Sequence, residues 1–295
     1  MAQNPPIYRK LLAAVSSEDS DRQTVRYAAN LLSRSVAAEI CFVHARMRDE
    51  PFELEAFVRD AAADWPAEPR LSFHSLHGPR EDTLLAFSVE QACDLILIGH
   101  RKRRSGRRSL ARRLAMNAPC SVWMTPEGSA AEVRRMLVPV DLSERSAEVL
   151  AEATRVAAAL ALESVDTLHV YFEQGTAPRD EEYEERVHDR EEAALWELVA
   201  RVELHGVGLN PLFEESVHVA DTIRRVAEQR QADLIVMGTR GRSRSAGILL
   251  GSETEETMIQ TPIPVLAVKR FGSRLSFLQA LLDRRFRERE GPKFT

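Results

Sequence analysis

The stretch from Asp233 to Thr254 reads D-L-I-V-M-G-T-R-G-R-S-R-S-A-G-I-L-L-G-S-E-T. Its first part, Leu234 to Met237, is apolar at every position, which is typical of a parallel strand buried on both faces. Gly238 and Gly241 then permit a tight turn and a close approach of the backbone to a ligand, because glycine has no Cβ. This order of elements predicts an α/β fold with a ligand site at the end of a strand.

A second corner follows nine residues later, at Gly251 and Ser252, where a helix-like segment begins. The free N–H groups and the positive dipole end of a helix start attract anions, so we expect a phosphate there. The spacing G-x-x-G, nine residues, G-S resembles the ATP-binding signature of the universal stress protein family. Its flanks match as well, with I-V-M-G before it and P-I-P-V-L-A-V-K-R after it.

Composition indicates a globular protein with two domains. The chain has 295 residues, 44% of them hydrophobic and 29% charged, and a net charge of −5. This charge argues against a surface built throughout for nucleic acid. Cys41, Cys93 and Cys120 stand singly in apolar runs, so we expect buried free thiols. No apolar run approaches the roughly 20 residues of a membrane span, and the N-terminus lacks a leader-like apolar segment, so we expect a cytoplasmic protein.

The order of strands and helices repeats once along the chain. C-D-L-I-L-I-G at Cys93 recurs as A-D-L-I-V-M-G at Ala232. A period of about 140 residues is too long for a solenoid and fits a duplicated domain. We therefore predict one domain over residues 6–126, a linker over 127–132 and a second domain over 133–270. Residues 273–290 have leucines at helical spacing and predict a C-terminal amphipathic helix that docks on the body or on a partner.

The resemblance covers both halves and implies two tandem, doubly wound, five-stranded parallel sheets with helices on both faces. It places the ligand at the carboxyl ends of the strands, where the strand order reverses. It also implies that the two halves pack with their last strands paired, as an intramolecular pseudo-dimer or as a homodimer.

The resemblance further implies which residues of the second half hold ATP, ADP or AMP. Asp141 matches the acid that accepts a hydrogen bond from adenine, and Val170 matches the residue whose backbone contacts the base. An alternative role for Asp141 is to cap the following helix, although Ser143 can fill that role. The complete expected set has Asp141 with its neighbours Pro139 and Val140, and Val170 at the base. Near the ribose it has Met237 and Gly238. Facing the phosphates it has Gly241, Gly251, Ser252 and Thr254.

Three carboxylates depart from the family pattern. Glu253, Glu255 and Glu256 follow Ser252 directly or closely. Beside a triphosphate they would repel it or require Mg²⁺ between them. The arginines at 240, 242 and 244 would offset part of this charge.

The first half lacks most of the signature. Ser16 stands where Asp141 stands in the second half, and Lys102 and Arg108 replace two of the glycines. Gly99 and Ser109 keep their places. We therefore expect no ATP site of this kind in the first half, and a structural role in which the corresponding cleft is filled.

A basic run replaces the signature in the first half, with eight Lys or Arg residues between Arg101 and Arg113. Such a run suits the phosphates of nucleic acid or of an acidic lipid, but no aromatic residue is interleaved for base stacking. The alternative is a solvated face that pairs with the acidic segment Asp180 to Glu192 of this chain or of a neighbouring chain, and the acidic chain as a whole favours it.

The motifs contain no evident catalytic machinery. The histidines show no metal spacing, and neither a G-x-S-x-G nor a P-loop lysine motif occurs. We expect at most slow ATP hydrolysis, in a protein whose main role is nucleotide binding during stress adaptation. The rival interpretation is a dimerising scaffold or adaptor that has lost nucleotide and holds another small ligand or an acidic lipid.

Overall fold

The computed structural model describes residues 5–16, 18, 20–47, 51–62, 65, 70–100, 109–172, 180–239 and 250–269. The expected contact at Gly241, the predicted C-terminal helix over 273–290 and most of the basic run lie outside these ranges.

The first half alternates strands with helices, as its sequence predicts. The elements are β1 (Tyr8–Ala14), α1 (Asp21–Ser33), β2 (Ala37–Arg46), α2 (Leu54–Ala61), β3 (Leu71–His77), α3 (Arg80–Glu90), β4 (Leu95–His100), α4 (Leu110–Asn117) and β5 (Ser121–Pro126).

The second half repeats the same order. The elements are β6 (Met136–Val140), α5 (Glu144–Ala159), β7 (Ser164–Tyr171), α6 (Glu181–Val199), β8 (Gly208–Glu215), α7 (Val219–Gln229), β9 (Leu234–Gly238), α8 (Ser252–Gln260) and β10 (Val265–Val268). None of the described helices is both long and apolar enough to cross a bilayer.

The strands form one ten-stranded sheet in the order β3-β2-β1-β4-β5-β10-β9-β6-β7-β8. Each half is parallel within itself, and the halves join where β5 and β10 pair antiparallel. The expectation of two five-stranded parallel sheets with paired last strands is therefore confirmed, with both sheets supplied by one chain. The strand order reverses at β1 in the first half and at β6 in the second.

Successive side chains of each strand point to opposite sides of the sheet, so an apolar strand presents an apolar surface on both faces. Helices cover both of these faces. In β1, Leu11 and Ala13 belong to one apolar core, and Leu12 and Ala14 belong to the other. A strand that is buried on both faces has no polar alternation, which explains the uniformly apolar runs in the sequence.

Backbone and side-chain contacts close the seam between the halves. The backbone N–H of Lys269 donates to Ser121 Oγ at 3.1 Å, and its ammonium donates to the carbonyl of Met116 at 3.1 Å. Arg112 of α4 pairs with Glu255 of α8 at 2.7 Å, in a partly buried position. Trp123 of β5 is fully buried at the seam, where it lies opposite Leu266 of β10 and packs edge-on against Tyr27.

Replacing Trp123 with alanine should lower the free energy of unfolding by about 3–5 kcal/mol, because it leaves a large cavity between the two halves. Trp196→Ala on α6 is the matched control, since Trp196 is 44% exposed and should change stability by no more than about 0.5 kcal/mol. Chemical denaturation of the two variants measures the difference. Equal losses would show that the seam is not part of the core.

Candidate functional site

The sheet of the second half opens where its strand order reverses. β6 pairs with β9 only at Met136 and Leu137, whereas its pairing with β7 continues to Val140. Pro139 follows the last β6–β9 pair closely and has no N–H to donate to a neighbour. In the first half the residue equivalent to Pro139 is Ala14, which still pairs with β4 at Ile98. The crevice at the carboxyl edge therefore begins earlier in the second half.

Asp141 lies at this opening, and a local network fixes its carboxylate. Its Oδ1 accepts from the backbone N–H of Ser143 at 3.1 Å and from the hydroxyls of Ser143 and Ser146 at 2.6 Å each. Ser143, and not Asp141, is the N-cap of α5, since its hydroxyl accepts from the Ser146 N–H. The alternative role of Asp141 as the helix cap is therefore wrong.

The start of α8 faces the same edge. Gly251 is its N-cap, with φ −66° and ψ 146°, and no side chain caps the helix. Its own N–H donates to the Thr239 carbonyl at 2.7 Å, so the glycine at the start of α8 lies beside the end of β9. Ser252 begins the helix and is exposed. A helix start without a side-chain cap is suited to an anion, because the N–H groups of its first turn lack helical partners.

Thr254 has a contact within the protein. It is buried, and its hydroxyl donates to the Gly238 carbonyl at 2.7 Å. This side chain joins α8 to the end of β9, and a phosphate contact at Thr254 stays a prediction. Its contribution is to hold the two glycine corners together.

The other expected residues share this edge. Pro139 and Val140 end β6, Val170 is the penultimate residue of β7, and Met237 and Gly238 end β9. Val140 and Met237 are buried in the cores on the two faces of the sheet, so their side chains support the edge. A ligand at this edge could therefore contact Val140 and Met237 only through their backbone groups.

The glutamates at the start of α8 form contacts with neighbouring elements and within the helix. Glu253 accepts from the Ala220 N–H at 2.9 Å, at the start of α7, where the N-cap His218 makes no side-chain cap. Glu255 pairs with Arg112, and Glu256 accepts from Gln260 at 3.0 Å. Glu255 is thus neutralised by an arginine, whereas Glu253 accepts from a neutral backbone N–H and keeps its charge.

Two buried histidines support the strand ends and were not predicted. His169 Nδ1 lies 2.9 Å from the Val140 carbonyl, and its Nε2 lies 3.2 Å from a Glu191 carboxylate oxygen. A carbonyl oxygen only accepts, so Nδ1 carries the proton. His44 makes the equivalent bond to the Val15 carbonyl at 3.0 Å. In the sequence, His44 follows Ser16 by as many residues as His169 follows Asp141. This equal spacing in the two halves was the signal that could have identified the two histidines.

The first half presents a pocket of about 500 Å³ at its own carboxyl edge. The expectation that this cleft is filled is wrong. The residues on which its chemistry depends are Val15, Ser16, Asp21, Gly99, His100 and Ser109.

Two features distinguish this pocket from the second half. Ser109 is the N-cap of α4, and its hydroxyl accepts from the Arg112 N–H at 3.2 Å, so this helix start has a side-chain cap that α8 lacks. Gly99 also has a packing role, because a Cβ there would lie 2.8 Å from Thr24 Oγ1 and 3.1 Å from Asp21 Oδ1. Gly99 therefore marks a close approach of α1 to β4.

The three cysteines are free and buried, as expected. Cys41 and Cys93 lie close together in the same apolar core, which their sequence positions do not reveal. Burial raises the pKa of Cys120 to about 12, so its thiol stays protonated near neutral pH. Within the described ranges there is no group of three or more His, Cys, Asp or Glu residues that could hold a metal ion.

Two arginines at the end of the basic run are described, and both form ion pairs at 2.7 Å. Arg112 pairs with Glu255, and Arg113 pairs with Glu81. Neither of these carboxylates belongs to the acidic segment Asp180 to Glu192, and pairing of the basic run with that segment, of this chain or of a neighbouring chain, stays a prediction. Arg112 instead connects the two halves.

Comparison with known proteins identifies two related segments. The model of the universal stress protein family matches residues 7–126 and again residues 132–269. Universal stress protein MJ0577 of Methanocaldococcus jannaschii is 31% identical over 158 residues, which are 48% of this chain and 97% of that protein.

Two solved structures share the fold over nearly the whole chain. PA1789 of Pseudomonas aeruginosa, described as functionally unknown, has a TM-score of 0.71 at 17% identity and covers 94% of this chain and 98% of its own. A universal stress protein from Archaeoglobus fulgidus has a TM-score of 0.61 at 17% identity, over 90% of this chain and 97% of its own.

Ser109→Ala should lower the free energy of unfolding by about 1 kcal/mol, because it removes the side-chain cap of α4. Ser252 is the residue of α8 that aligns with Ser109 in the sequence, but it does not cap its helix. For Ser252→Ala we therefore expect the free energy of unfolding to change by no more than about 0.5 kcal/mol. Urea denaturation of both variants tests the difference between the helix starts. A larger loss for Ser252→Ala would contradict it.

Proposed function

Because the chain belongs to the universal stress protein family, we propose that its second half binds ATP or a related adenine nucleotide, ADP or AMP. The protein would act in stress adaptation as a nucleotide-responsive binding module. The observation that carries the proposal is the start of α8, where Gly251 leaves the helix without a side-chain cap beside the end of β9.

Each part of the nucleotide has a counterpart at this edge. Adenine N–H groups would donate to Asp141, whose orientation is fixed by Ser143 and Ser146. A hydrogen bond to a charged acceptor contributes roughly 1.5–3 kcal/mol, which is enough to favour adenine over bases without a donor there. The backbone at Val170 would contact the base, and the strand end at Met237 and Gly238 would lie near the ribose.

The phosphates would meet the N–H groups of the first turn of α8. The absence of a Cβ at Gly251 leaves room for a close approach, and the N–H groups at Ser252 and beyond supply donors without a charged side chain. The family signature adds Gly241 to this cradle. Any Mg²⁺ would be bound mainly through the phosphates themselves, since Glu253 and Glu255 make other contacts.

We propose a binding role with at most slow ATP hydrolysis. Among the residues that the structure describes, this edge has the Asp141 carboxylate, which accepts three hydrogen bonds, two glycine corners and buried apolar side chains. The motifs of the sequence add no general base to this set.

The test is whether the purified protein carries or binds nucleotide. Protein from a native preparation, denatured and passed over an ion-exchange column, should release ATP, ADP or AMP. Mg-ATP at 100 times its dissociation constant should stabilise the fold by about 2.7 kcal/mol, visible as a rise in Tm.

Gly251→Val should abolish this rise, because the added side chain fills the phosphate approach while its φ of −66° suits valine. Gly208→Val is the matched control, since Gly208 lies in the edge strand β8 and a Cβ there meets only ordinary contacts of 3.4 and 3.5 Å. The control should keep the full response to Mg-ATP. An empty nucleotide trace together with no rise in Tm for the unaltered chain would favour the scaffold interpretation instead.

The nucleic-acid alternative has its own signature. A phosphate-driven complex loses affinity steeply between low and moderate salt. If the chain bound RNA or DNA in this way, and lost the binding when Arg101 to Arg113 were neutralised, the basic run would carry a separate function.

A further inference from the structure

A salt bridge connects the first half of the chain to the helix that begins at the proposed phosphate position. The guanidinium of Arg112 in α4 donates through Nε to a carboxylate oxygen of Glu255 in α8 at 2.7 Å, and these two helices pack against each other. Only 21% of the Arg112 side chain and 27% of the Glu255 side chain are exposed. Because both groups are mostly withdrawn from water, solvent and salt screen them less than an exposed pair.

Glu255 lies close to the donors that a phosphate would use. It belongs to the first turn of α8, and its backbone N–H donates to the Gly251 carbonyl at 2.9 Å. A carboxylate at this place interacts favourably with the positive end of the helix dipole, but it repels an anion bound at the same end. The charge of Glu255 therefore lowers the affinity for phosphate unless a cation balances it.

The neighbouring glutamates have no such balance in their described contacts. Glu253 accepts from a backbone N–H of α7 at 2.9 Å, and Glu256 accepts from a glutamine amide at 3.0 Å. Both donors are neutral, so these two carboxylates keep their charges. Without Arg112, the carboxylate of Glu255 would add a further uncompensated negative charge to the same helix start.

We propose that Arg112 is a charge partner which the first half supplies to the nucleotide site of the second half, and that it sets the affinity for phosphate by neutralising Glu255. This inference rests on the proposed function, because it concerns the same helix start. Arg112 acts on the phosphate through Glu255 and without contact. The first half thereby takes part in nucleotide binding, since the second half alone would present α8 with Glu255 unpaired.

Two substitutions break the same salt bridge but should change ATP affinity in opposite directions. Arg112→Gln leaves the Glu255 carboxylate unbalanced and should raise the Kd for Mg-ATP about fivefold in a buffer of low ionic strength. Glu255→Gln leaves the cation in place, so the Kd should fall below that of the unaltered chain. The double variant should return the Kd to within about twofold of the unaltered value. Calorimetric titration of the full chain measures all four values.

Arg113→Gln is the matched control. Arg113 is the next residue of α4, and it pairs at the same 2.7 Å with Glu81 of the first half. This variant should leave the Kd for Mg-ATP unchanged. Thermal unfolding of each variant checks that the fold is intact.

Two further measurements separate a charge effect from a loss of packing between the halves. Raising the salt concentration to about 0.5 M should reduce the difference between Arg112→Gln and Glu255→Gln, because mobile ions screen the repulsion. Adenosine, which has no phosphate, should displace bound ATP with the same adenosine affinity in every variant. A contact that only held the halves together would show neither behaviour, and both single variants would weaken ATP binding alike.

The outcomes distinguish this inference from the function on which it rests. An ATP affinity that Arg112→Gln leaves unchanged, or that both single variants lower, would overturn the role of Arg112 and leave the proposed function in place. An unaltered chain that binds no adenine nucleotide would overturn both.

Discussion

The first N–H groups of two equivalent helices determine how the halves of this protein differ. Both α4 and α8 begin at the carboxyl edge of one continuous sheet, where parallel strands direct ligands. Ser109 caps α4 with its own hydroxyl, whereas Gly251 leaves α8 without a side-chain cap. A helix start without a side-chain cap leaves its first N–H groups to water or to a ligand. Since α1, α2, α3 and α7 also lack a side-chain cap, the start of α8 is distinguished by its glycine beside the end of β9.

Most of the fold followed from the sequence, because strands buried on both faces are uniformly apolar and stand out from their surroundings. All ten predicted strands are present, and the repeat correctly indicated two equivalent halves. The helix α2 over Leu54–Ala61 was missed, although its buried residues Leu54, Val58 and Ala61 have helical spacing in the sequence. The sequence also did not predict how far each pair of strands stays hydrogen-bonded. The β6–β9 pairing ends early, before Pro139, and this could not be predicted without knowing that β9 is the neighbour of β6.

The candidate site was predictable as a set of positions but not as a set of roles. Glycine spacing located the edge, yet Thr254 proved to be an internal tie to Gly238, because hydroxyl orientation depends on the tertiary structure. The carboxylate of Asp21 escaped notice for a similar reason. A position-by-position comparison finds serine opposite Asp141, whereas an acid lies five residues further on, at the start of α1, where it accepts hydrogen bonds from Ser16. The contact between these two positions appears only in the folded chain.

The most direct test of this account is the number of ATP molecules bound by each chain. Equilibrium titration with Mg-ATP should give one site per chain, since only the second half combines a fixed carboxylate with an uncapped helix start. Two equivalent sites would show that the capped helix of the first half also takes phosphate, and no binding at all would remove the nucleotide from the protein's function.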